Sequence, residues 1–256
     1  MSSQPRLYVM ADLRNGQPFS LDQEASKYLL RVMRLSEGAE VRVFNGRHGE
    51  WLAKLSRVDG RVAELLPVEQ MRIQPERQSA HLTLLFAPVK KAETDFIVEK
   101  ATELGAHTLQ PVITDYTQSR TVRTDRFAKI ALEAAEQTER LDLPEIADAL
   151  PLNRALDGLA PDCALIFCDE AGNDATRPWG GEEGRAQAAL KTFCMLTGRA
   201  AAVLIGPEGG FSSQERAFLR SRADTYPVSL GPRILRAETA AVSALTLWQA
   251  ACGDWQ

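Results

Sequence analysis

Polar and apolar positions alternate with a period of two in several short segments of the first 70 residues. Val41 to Phe44 alternates, Asn45-Gly46 after it is a dipeptide typical of a hairpin turn, and Trp51 to Leu55 is the predicted returning strand. Asp22 to Leu35 instead has the period of an amphipathic helix. The apolar face of that helix would carry Ala25, Leu29, Val32 and Met33. These patterns predict a small β-rich module with one helix, which we place at residues 1–72.

A polar stretch from Glu69 to Ala80 contains one proline and no periodicity, and it predicts an interdomain linker. After it, short apolar runs alternate with segments of helical period. The predicted strands are His81–Ala87, Leu109–Ile113, Ala164–Cys168, Ala201–Ile205 and Tyr226–Leu230. Such alternation predicts an α/β domain at residues 73–256, with a parallel sheet covered by helices on both faces. The pattern alone favours an open doubly wound sheet, because knots are essentially absent from known folds.

Two of these strands lead into glycine loops that are followed by helices. The first loop is Gly206-Pro-Glu-Gly-Gly210, and Ser212 to Glu215 has the spacing of a capping box. The second is Gly231-Pro-Arg-Ile-Leu-Arg-Ala-Glu-Thr239. A glycine bend before a helix lets backbone N–H groups approach a ligand, so the pair predicts one binding site at neighbouring strand ends. A tight turn without a ligand is the alternative, since neither loop fits a dinucleotide or phosphate-loop pattern.

Composition excludes several classes of protein. The chain has 256 residues, 45% hydrophobic and 25% charged, and no apolar run reaches the length of a membrane span. We therefore expect a cytoplasmic protein without a membrane partner. The cysteines form no C-x-x-C pair and the histidines are scattered, so we expect no metal site. The net charge of −4 argues against indiscriminate nucleic-acid binding, but residues 1–72 carry a small positive excess that could form basic patches.

The two glycine loops, taken together, resemble one family. Leu204-Ile-Gly-Pro-Glu-Gly-Gly-Phe211 and Leu230-Gly-Pro-Arg-Ile-Leu-Arg-Ala-Glu-Thr-Ala240 are similar to the RsmE family. Its members are ribosomal RNA uridine-N3 methyltransferases of the SPOUT superfamily. Lys27 to Arg34 and Phe96 to Gly105 are similar to the same family, so the resemblance covers both predicted domains. One departure is Glu139, where relatives usually carry glycine.

The resemblance implies a fold, a cofactor and partners. The first module would be a PUA-like β-barrel that contacts RNA, and the second a SPOUT domain with a trefoil knot. The loops of the knot would cradle S-adenosylmethionine. The partners would be ribosomal RNA or the small ribosomal subunit, and a second copy of the chain in a homodimer. Nothing in the hydrophobic pattern indicates threading, so the knot rests on the resemblance.

The cofactor would contact backbone groups and apolar walls in the two loops. The candidate cofactor-binding residues are Ile205, Gly206, Pro207, Glu208, Gly209, Leu230, Gly231, Ile234, Leu235, Thr239 and Ala240.

The chemistry calls for a cation. Uridine N3 is protonated and a poor nucleophile, and a cation near O2 or O4 would favour the anion. Arg236 is the candidate for that role. Glu238 or Glu208 could accept the proton, or could instead hold the loop or a ligand hydroxyl. The sequence does not separate these roles.

RNA contacts are expected at basic residues outside the catalytic loops. Because N3 lies on the Watson–Crick edge, the target uridine must be unpaired, and phosphate contacts on either side would offset that cost. Arg31 and Arg34 lie one helical turn apart and would share a face. The candidates are Arg31, Arg34, Lys90, Lys91 and Lys100. Two other functions stay open: a SPOUT ribose 2′-O-methyltransferase, and an RNA-binding assembly factor without turnover.

Overall fold

The structure is a computed structural model and divides into two compact units. It describes residues 4–59, 61–76, 81–119, 121–173, 176–177, 181 and 183–255. One unit comprises the chain up to Glu76 together with Ala135–Leu143, and the other comprises the rest. The boundaries placed at 1–72 and 73–256 did not anticipate the segment Ala135–Leu143.

The first unit is built on a mainly antiparallel sheet. Its elements are β1 (Arg6–Tyr8), β2 (Phe19–Ser20), α1 (Gln23–Lys27), β3 (Glu40–Phe44), β4 (Glu50–Asp59) and β5 (Val62–Arg72). The strand order is β1-β3-β4-β5-β2, and only the β1–β3 pair is parallel. The predicted hairpin is confirmed, with β3 paired to β4 and Gly46 at a φ of 73° in the connection. Alternate strand residues such as Val41 and Val43 are fully buried beside Leu29, as a sheet with one covered face requires.

A buried arginine fastens the segment Ala135–Leu143 to this unit. Arg6 donates from Nε to Glu50 at 2.5 Å, and from its terminal nitrogens to the carbonyls of Ala135 and Arg140 at 2.5 and 2.7 Å. Its guanidinium also lies 3.8 Å from the centroid of the Phe44 ring. Burial lowers the pKa of Arg6, and the Glu50 carboxylate opposes that shift. A buried cation needs such a complete set of partners, so this cluster selects one position for the segment.

The helix predicted from Asp22 to Leu35 is wrong in its second half. The α-helix α1 ends at Lys27, and Tyr28–Val32 form a π-helical turn. Arg34 then adopts a left-handed conformation with φ 54°. Val32, expected on the apolar face, is 65% exposed. The wider turn rotates later residues away from the 3.6-residue period, so Arg31 and Arg34 do not share the face of an α-helix.

The predicted linker is shorter than its composition indicated. Glu69 to Arg72 belong to β5, where Glu69 and Gln70 pair with Leu52 and Trp51. Residues 73–76 follow without regular structure, and 77–80 lie outside the described residues.

The second unit contains the predicted parallel sheet. Its strands are β6 (Leu82–Phe86), β7 (Thr108–Ile113), β8 (Glu145–Ile146), β9 (Leu150–Pro151), β10 (Ala164–Cys168), β11 (Gln187–Ala188), β12 (Ala201–Ile205) and β13 (Thr225–Ser229). Its helices are α2 (Lys91–Glu103), α3 (Thr124–Gln137, whose last turn lies in the first unit), α4 (Leu152–Asp157), α5 (Ala189–Phe193), α6 (Ser213–Ser221) and α7 (Ala237–Cys252). The strand order is β11-β13-β10-β12-β6-β7-β8, and β9 pairs with the end of β7.

Both faces of this sheet are buried, as predicted. In β12, Ala201, Val203 and Ile205 belong to the core shared with α2, α5 and α7, whereas Ala202 and Leu204 belong to the core shared with α4 and α6. Successive strand residues point to opposite faces, so a continuous apolar run is needed to fill both cores. Within the described residues, no helix has both the length and the apolar character needed to cross a membrane.

Helix boundaries in this unit follow local signals. Ser212 caps α6, accepting from the Glu215 N–H while the Glu215 side chain accepts from the Ser212 N–H, so the capping box is confirmed. Gly105 follows α2 with φ 77°, as a helix C′ residue should. These caps determine where the chain leaves each helix and enters the loops at the sheet edge.

Candidate active site

A cavity of about 860 Å³ opens at the carboxyl edge of the parallel sheet. Its walls come from the segments that follow β10, β12 and β13, together with one side of α6 and the start of α7. The carboxyl ends of parallel strands are where ligands bind in α/β sheets, because loops from several strands meet there.

Most of the predicted cofactor residues lie in this cavity. The eight that line it are Ile205, Gly206, Pro207, Glu208, Gly209, Ile234, Leu235 and Ala240. Leu230, Gly231 and Thr239 are not in the lining, although Leu230 and Gly231 hydrogen-bond to residues of the wall or its support. The two glycine loops therefore enclose one space, while the individual contacts of a ligand stay a prediction.

The strands that lead into the two loops are not neighbours, contrary to the sequence-based expectation. β10 lies between them and pairs in parallel with both β12 and β13. The segment after β10 adds Asp169 and Glu170 to the cavity wall. These residues are not among the candidates predicted from the sequence, although two carboxylates directly after a predicted buried strand are a usable signal.

Glu170 holds the turn at the start of the second glycine loop. One of its carboxylate oxygens accepts from the Leu230 N–H at 2.7 Å, and the other accepts from the Ser229 hydroxyl at 3.1 Å. The Ser229 oxygen in turn accepts from the Gly231 N–H at 3.2 Å. Hydrogen bonds to a charged acceptor are among the stronger ones, so Glu170 sets the path of the backbone here.

Asp169 organises the opposite wall. It is 4% exposed, and its oxygens accept from Arg216 at 2.9 and 3.0 Å and from Arg220 at 2.8 Å. Arg216 also donates to the Gly172 carbonyl at 3.1 Å, which joins α6 to the loop after β10. Because a buried carboxylate needs compensating charge, the two arginines balance the charge of Asp169 and hold the loop in place.

Cys168 is unsuited to act as a nucleophile in this cavity. Burial is the main factor that raises the pKa of its thiol, and the Glu170 and Asp169 carboxylates raise it further. Only the thiolate is strongly nucleophilic, so the site favours direct transfer to a bound acceptor over a covalent cysteine intermediate.

Glycine is required at two points of the loops for different reasons. A Cβ on Gly206 would lie 2.7 Å from the Phe211 ring, which is closer than carbon atoms can pack. Gly231 has open space around it but a φ of 124°, a conformation that residues with a side chain rarely adopt. The first glycine therefore allows close packing and the second allows the bend.

Two of the predicted catalytic residues, Arg236 and Glu238, flank the cavity rather than line it. Arg236 is exposed at the N-cap of α7, between Leu235 and Ala237, which both line the wall. Glu238 is half-buried in the first turn of α7. Glu208 is exposed and lines the cavity. This arrangement leaves Arg236 accessible to a molecule that approaches from solvent.

The RNA candidates are divided between the two units. Arg31 and Arg34 are exposed in the first unit, and Lys90 and Lys91 are exposed at the start of α2 in the second. Lys100 lies 2.7 Å from both Glu99 and Glu103, and hydrogen bonds to these carboxylates raise its pKa. Its ammonium group is already compensated, so it is the weakest of the five candidates.

Comparison with known proteins identifies the class. The family model described as an RNA methyltransferase domain matches residues 76–249, and the one described as an RNA methyltransferase PUA domain matches residues 21–65. The parallel α/β unit and the smaller N-terminal unit are thus an RNA methyltransferase domain preceded by a PUA-like domain. The expected α/β fold class is confirmed at this level.

Individual relatives define the family more narrowly. The ribosomal RNA small subunit methyltransferase E of Rickettsia conorii is 31% identical over 241 residues, covering 94% of this chain and 93% of the relative. The protein of the same name from Neisseria gonorrhoeae, solved bound to S-adenosyl methionine, superposes with a TM-score of 0.81 at 26% identity and covers 99% of this chain and 100% of that one. A methyltransferase of Legionella pneumophila, solved with its bound cofactor SAM, gives 0.80 at 26% identity, with 98% of each chain covered. The chain belongs to the ribosomal RNA small subunit methyltransferase E family.

Proposed function

We propose that this protein transfers a methyl group from S-adenosylmethionine to N3 of a specific uridine in 16S ribosomal RNA. The observation that carries the proposal is the cavity at the sheet edge, which is lined by both glycine loops through which the chain resembles its family. A structure of the same family, similar over its whole length, contains S-adenosyl methionine.

The cofactor is proposed to lie between the loops after β12 and β13. Gly206 and the apolar side chains of Ile205, Leu235 and Ala240 would flank the adenine, since all four line the cavity. Leu230, Gly231 and Thr239 would contribute through the path of the backbone or through contacts that form with the ligand. The residues of these two loops fit this cofactor, because a nucleoside needs apolar walls and backbone polar groups together.

The trefoil knot is part of this proposal. After β10, the chain crosses to β11 at one edge of the sheet. It then returns through α5 to β12, which pairs with the opposite side of β10 from β13. β13 later enters between β11 and β10, and α7 then packs against α2, α5 and β12. A trefoil knot requires a later segment to pass through an earlier loop, and the insertion of β13 between β11 and β10 is consistent with this requirement.

Arg236 is proposed to stabilise the charge that develops during transfer. Loss of the N3 proton spreads negative charge over O2 and O4, and a guanidinium beside those oxygens would favour the anion. Glu238 is the proposed proton acceptor, with Glu208 as the alternative because it lines the cavity. The N3 lone pair would then attack the methyl carbon while its bond to sulfur breaks, leaving S-adenosylhomocysteine as the product.

The protein is proposed to act in the cytoplasm on ribosomal RNA or the small subunit, as a homodimer. Arg31 and Arg34 of the PUA-like unit, with Lys90, Lys91 and, less strongly, Lys100, are the proposed phosphate contacts. Contacts on both sides of the target would offset the free energy of unstacking it.

Mass mapping of methylated nucleosides tests the proposed function. Small ribosomal subunits from a strain lacking the gene would be incubated with the protein and S-adenosylmethionine, then digested to nucleosides. We expect 3-methyluridine at one site. A ribose 2′-O-methyl group would contradict the base specificity, and cofactor binding without methylation would favour an assembly factor. Failure to bind S-adenosylmethionine in a calorimetric titration would overturn the whole proposal.

A further inference from the structure

A second cavity, of about 470 Å³, opens at the same edge of the sheet. Its walls come from Pro88 and Val89 after β6, the first turn of α2, the chain that leads into α3, and the first turns of α3. It shares no residue with the candidate active site. Of its lining residues, only Lys91 is among the phosphate contacts proposed above, and none lines the proposed cofactor site.

The floor of this cavity is fixed by a buried threonine. The Thr94 hydroxyl accepts from the Val89 N–H at 3.0 Å and lies 3.2 Å from the Val89 carbonyl. Thr94 is 5% exposed. These contacts define the turn from β6 into α2 and therefore the point at which Lys91 leaves the backbone.

The lining of the cavity is positively charged, although the whole chain has a net charge of −4. Its ionisable lining residues are Lys91, Arg123, Arg126, Lys129, Asp95 and Asp125. Arg126 pairs with Asp95, and Arg123 pairs with Asp125 at 2.7 Å. Among the described residues, Lys91 and Lys129 have no carboxylate partner. Two uncompensated ammonium groups thus face one concave surface, beside two guanidiniums.

The two cavities begin at adjacent strand ends. Phe86 at the end of β6 is the register partner of Ile205 at the end of β12, and the Ala87 N–H donates to the Ile205 carbonyl at 3.0 Å. The next residues diverge, with Pro88 lining the second cavity and Gly206 lining the first. Paired strands lie about 5 Å apart, so one polynucleotide can reach both cavities.

We propose that the second cavity binds the phosphodiester backbone of the RNA strand next to the target nucleotide. The proposal rests on the proposed function, because it requires the substrate in the first cavity to be part of an RNA chain. Lys91 and Lys129 each contact a phosphate, and Arg123 and Arg126 exchange part of their carboxylate contact for phosphate oxygens. Phosphate contacts of this kind orient a strand without reading its sequence.

A charge-matched pair of variants tests the cavity. Lys91→Gln with Lys129→Gln removes the two unpaired ammonium groups, and Lys54→Gln with Lys191→Gln removes two exposed lysines that line neither cavity. The dissociation constant of transcribed 16S ribosomal RNA is measured against salt concentration for each. The slope of log K against log salt should fall by roughly 1.4 for two lost single-strand phosphate contacts. The control slope should stay near the wild-type value.

Three readouts separate the outcomes. Unchanged affinity of the Lys91/Lys129 variant for S-adenosylmethionine and a raised KM for RNA support the inference. Equal slopes for wild type and that variant overturn it, as does an equal loss in the Lys54/Lys191 control, which would mean a general charge effect. If the wild-type protein methylates RNA but the slopes coincide, the proposed function stands and this inference alone fails. A wild-type protein that binds neither RNA nor S-adenosylmethionine overturns both.

Discussion

Arg34 and Glu139 adopt a left-handed backbone conformation, with φ 54° and 62°, although neither is glycine. Such a conformation costs roughly 1–2 kcal/mol in a residue with a Cβ. At Glu139 it coincides with the position where the resemblance led us to expect glycine. The Glu139 carboxylate lies 2.7 Å from Arg42 and 3.1 Å from Arg72, so ion pairs offset part of the cost.

Two substitutions at Glu139 separate strain from charge. Glu139→Gly loses the exposed ion pairs but relieves the backbone, so its free energy of unfolding should stay near that of the wild type. Glu139→Ala loses the same ion pairs and keeps the strain. We expect the alanine variant to be less stable than the glycine variant by about 1 kcal/mol in urea unfolding. Equal stabilities would mean that the positive φ carries no cost here.

The charge of Glu139 also predicts a dependence on pH. A hydrogen bond from Arg42 is the main factor that lowers the pKa of Glu139 from its ordinary value of 4.5. A lowered pKa in the folded state stabilises the protein above the unfolded value, and that contribution is lost as the pH falls through the folded one. The stability difference between wild type and Glu139→Gln should therefore be constant above about pH 5 and shrink below 4.5. A difference that grows on acidification would contradict the assigned ion pairs.

Arg236 is expected to act on turnover more than on cofactor binding. It is exposed and outside the cavity lining, so Arg236→Ala should leave the Kd for S-adenosylmethionine nearly unchanged. Removing a cation from charge that develops only in the reaction should lower kcat by about 10²- to 10³-fold. Calorimetry and single-turnover methylation give the two values. Arg233→Ala, an exposed arginine in the same loop, is the matched control. A parallel loss of cofactor affinity would make Arg236 a binding residue.

At the scale of elements, the loop after β13 depends on the loop after β10. Leu230 and Ser229 both hydrogen-bond to Glu170, which is far from them along the chain. The sequence of the second glycine loop gave no sign of this partner. Hydrophobic periodicity also failed to predict the element at Tyr28–Val32, where a π-helical turn replaces the predicted α-helix.

Glu170 is therefore predicted to be a positioning residue for the cofactor. Glu170→Ala should weaken S-adenosylmethionine binding about tenfold through loss of a charged acceptor, with kcat at saturating cofactor preserved. Glu170→Gln keeps one acceptor oxygen and should show a smaller loss. In the ligand-free alanine variant, the Leu230 amide should also exchange hydrogen faster. Unchanged exchange with weakened binding would show that Glu170 contacts the cofactor directly instead of holding the loop.

At the scale of the whole molecule, the sequence suggests that the small residues Ala240, Ala241, Ala244 and Ala251 of α7 would let the helix of a second chain approach closely. The structure uses most of them within the chain. Ala240, Ala241 and Ala244 are at most 8% exposed, and α7 packs against α2 and α5 of its own unit. The face that could have received a partner helix is used internally. The proposed dimer therefore rests on the family resemblance alone.

Sedimentation equilibrium tests the homodimer. We expect a species of twice the chain mass at micromolar concentration, in a buffer in which methylation is measured in parallel. The chain mass is 28.2 kDa, so the two states are easily separated. An active protein that sediments as a monomer would contradict the proposed dimer.

The sequence by itself determined the local elements and the identity of the loops. Short apolar runs predicted β6, β7, β10, β12 and β13, and their alternation with helical segments predicted a parallel sheet covered by helices on both faces. The capping box at Ser212 and the glycine after α2 act within a few residues, so they were readable too. The two glycine loops were sufficient to indicate the family.

Only the tertiary structure decided which distant residues meet. The position of β10 between β12 and β13, and with it Asp169 and Glu170 in the wall, depends on the order of strands, which periodicity does not encode. The attachment of Ala135–Leu143 to the first unit depends on Arg6, a buried cation more than a hundred residues away in sequence. Hydrogen bonds and charge pairs of this kind form between groups that only the folded chain brings together, and they complete a site whose loops the sequence alone had indicated.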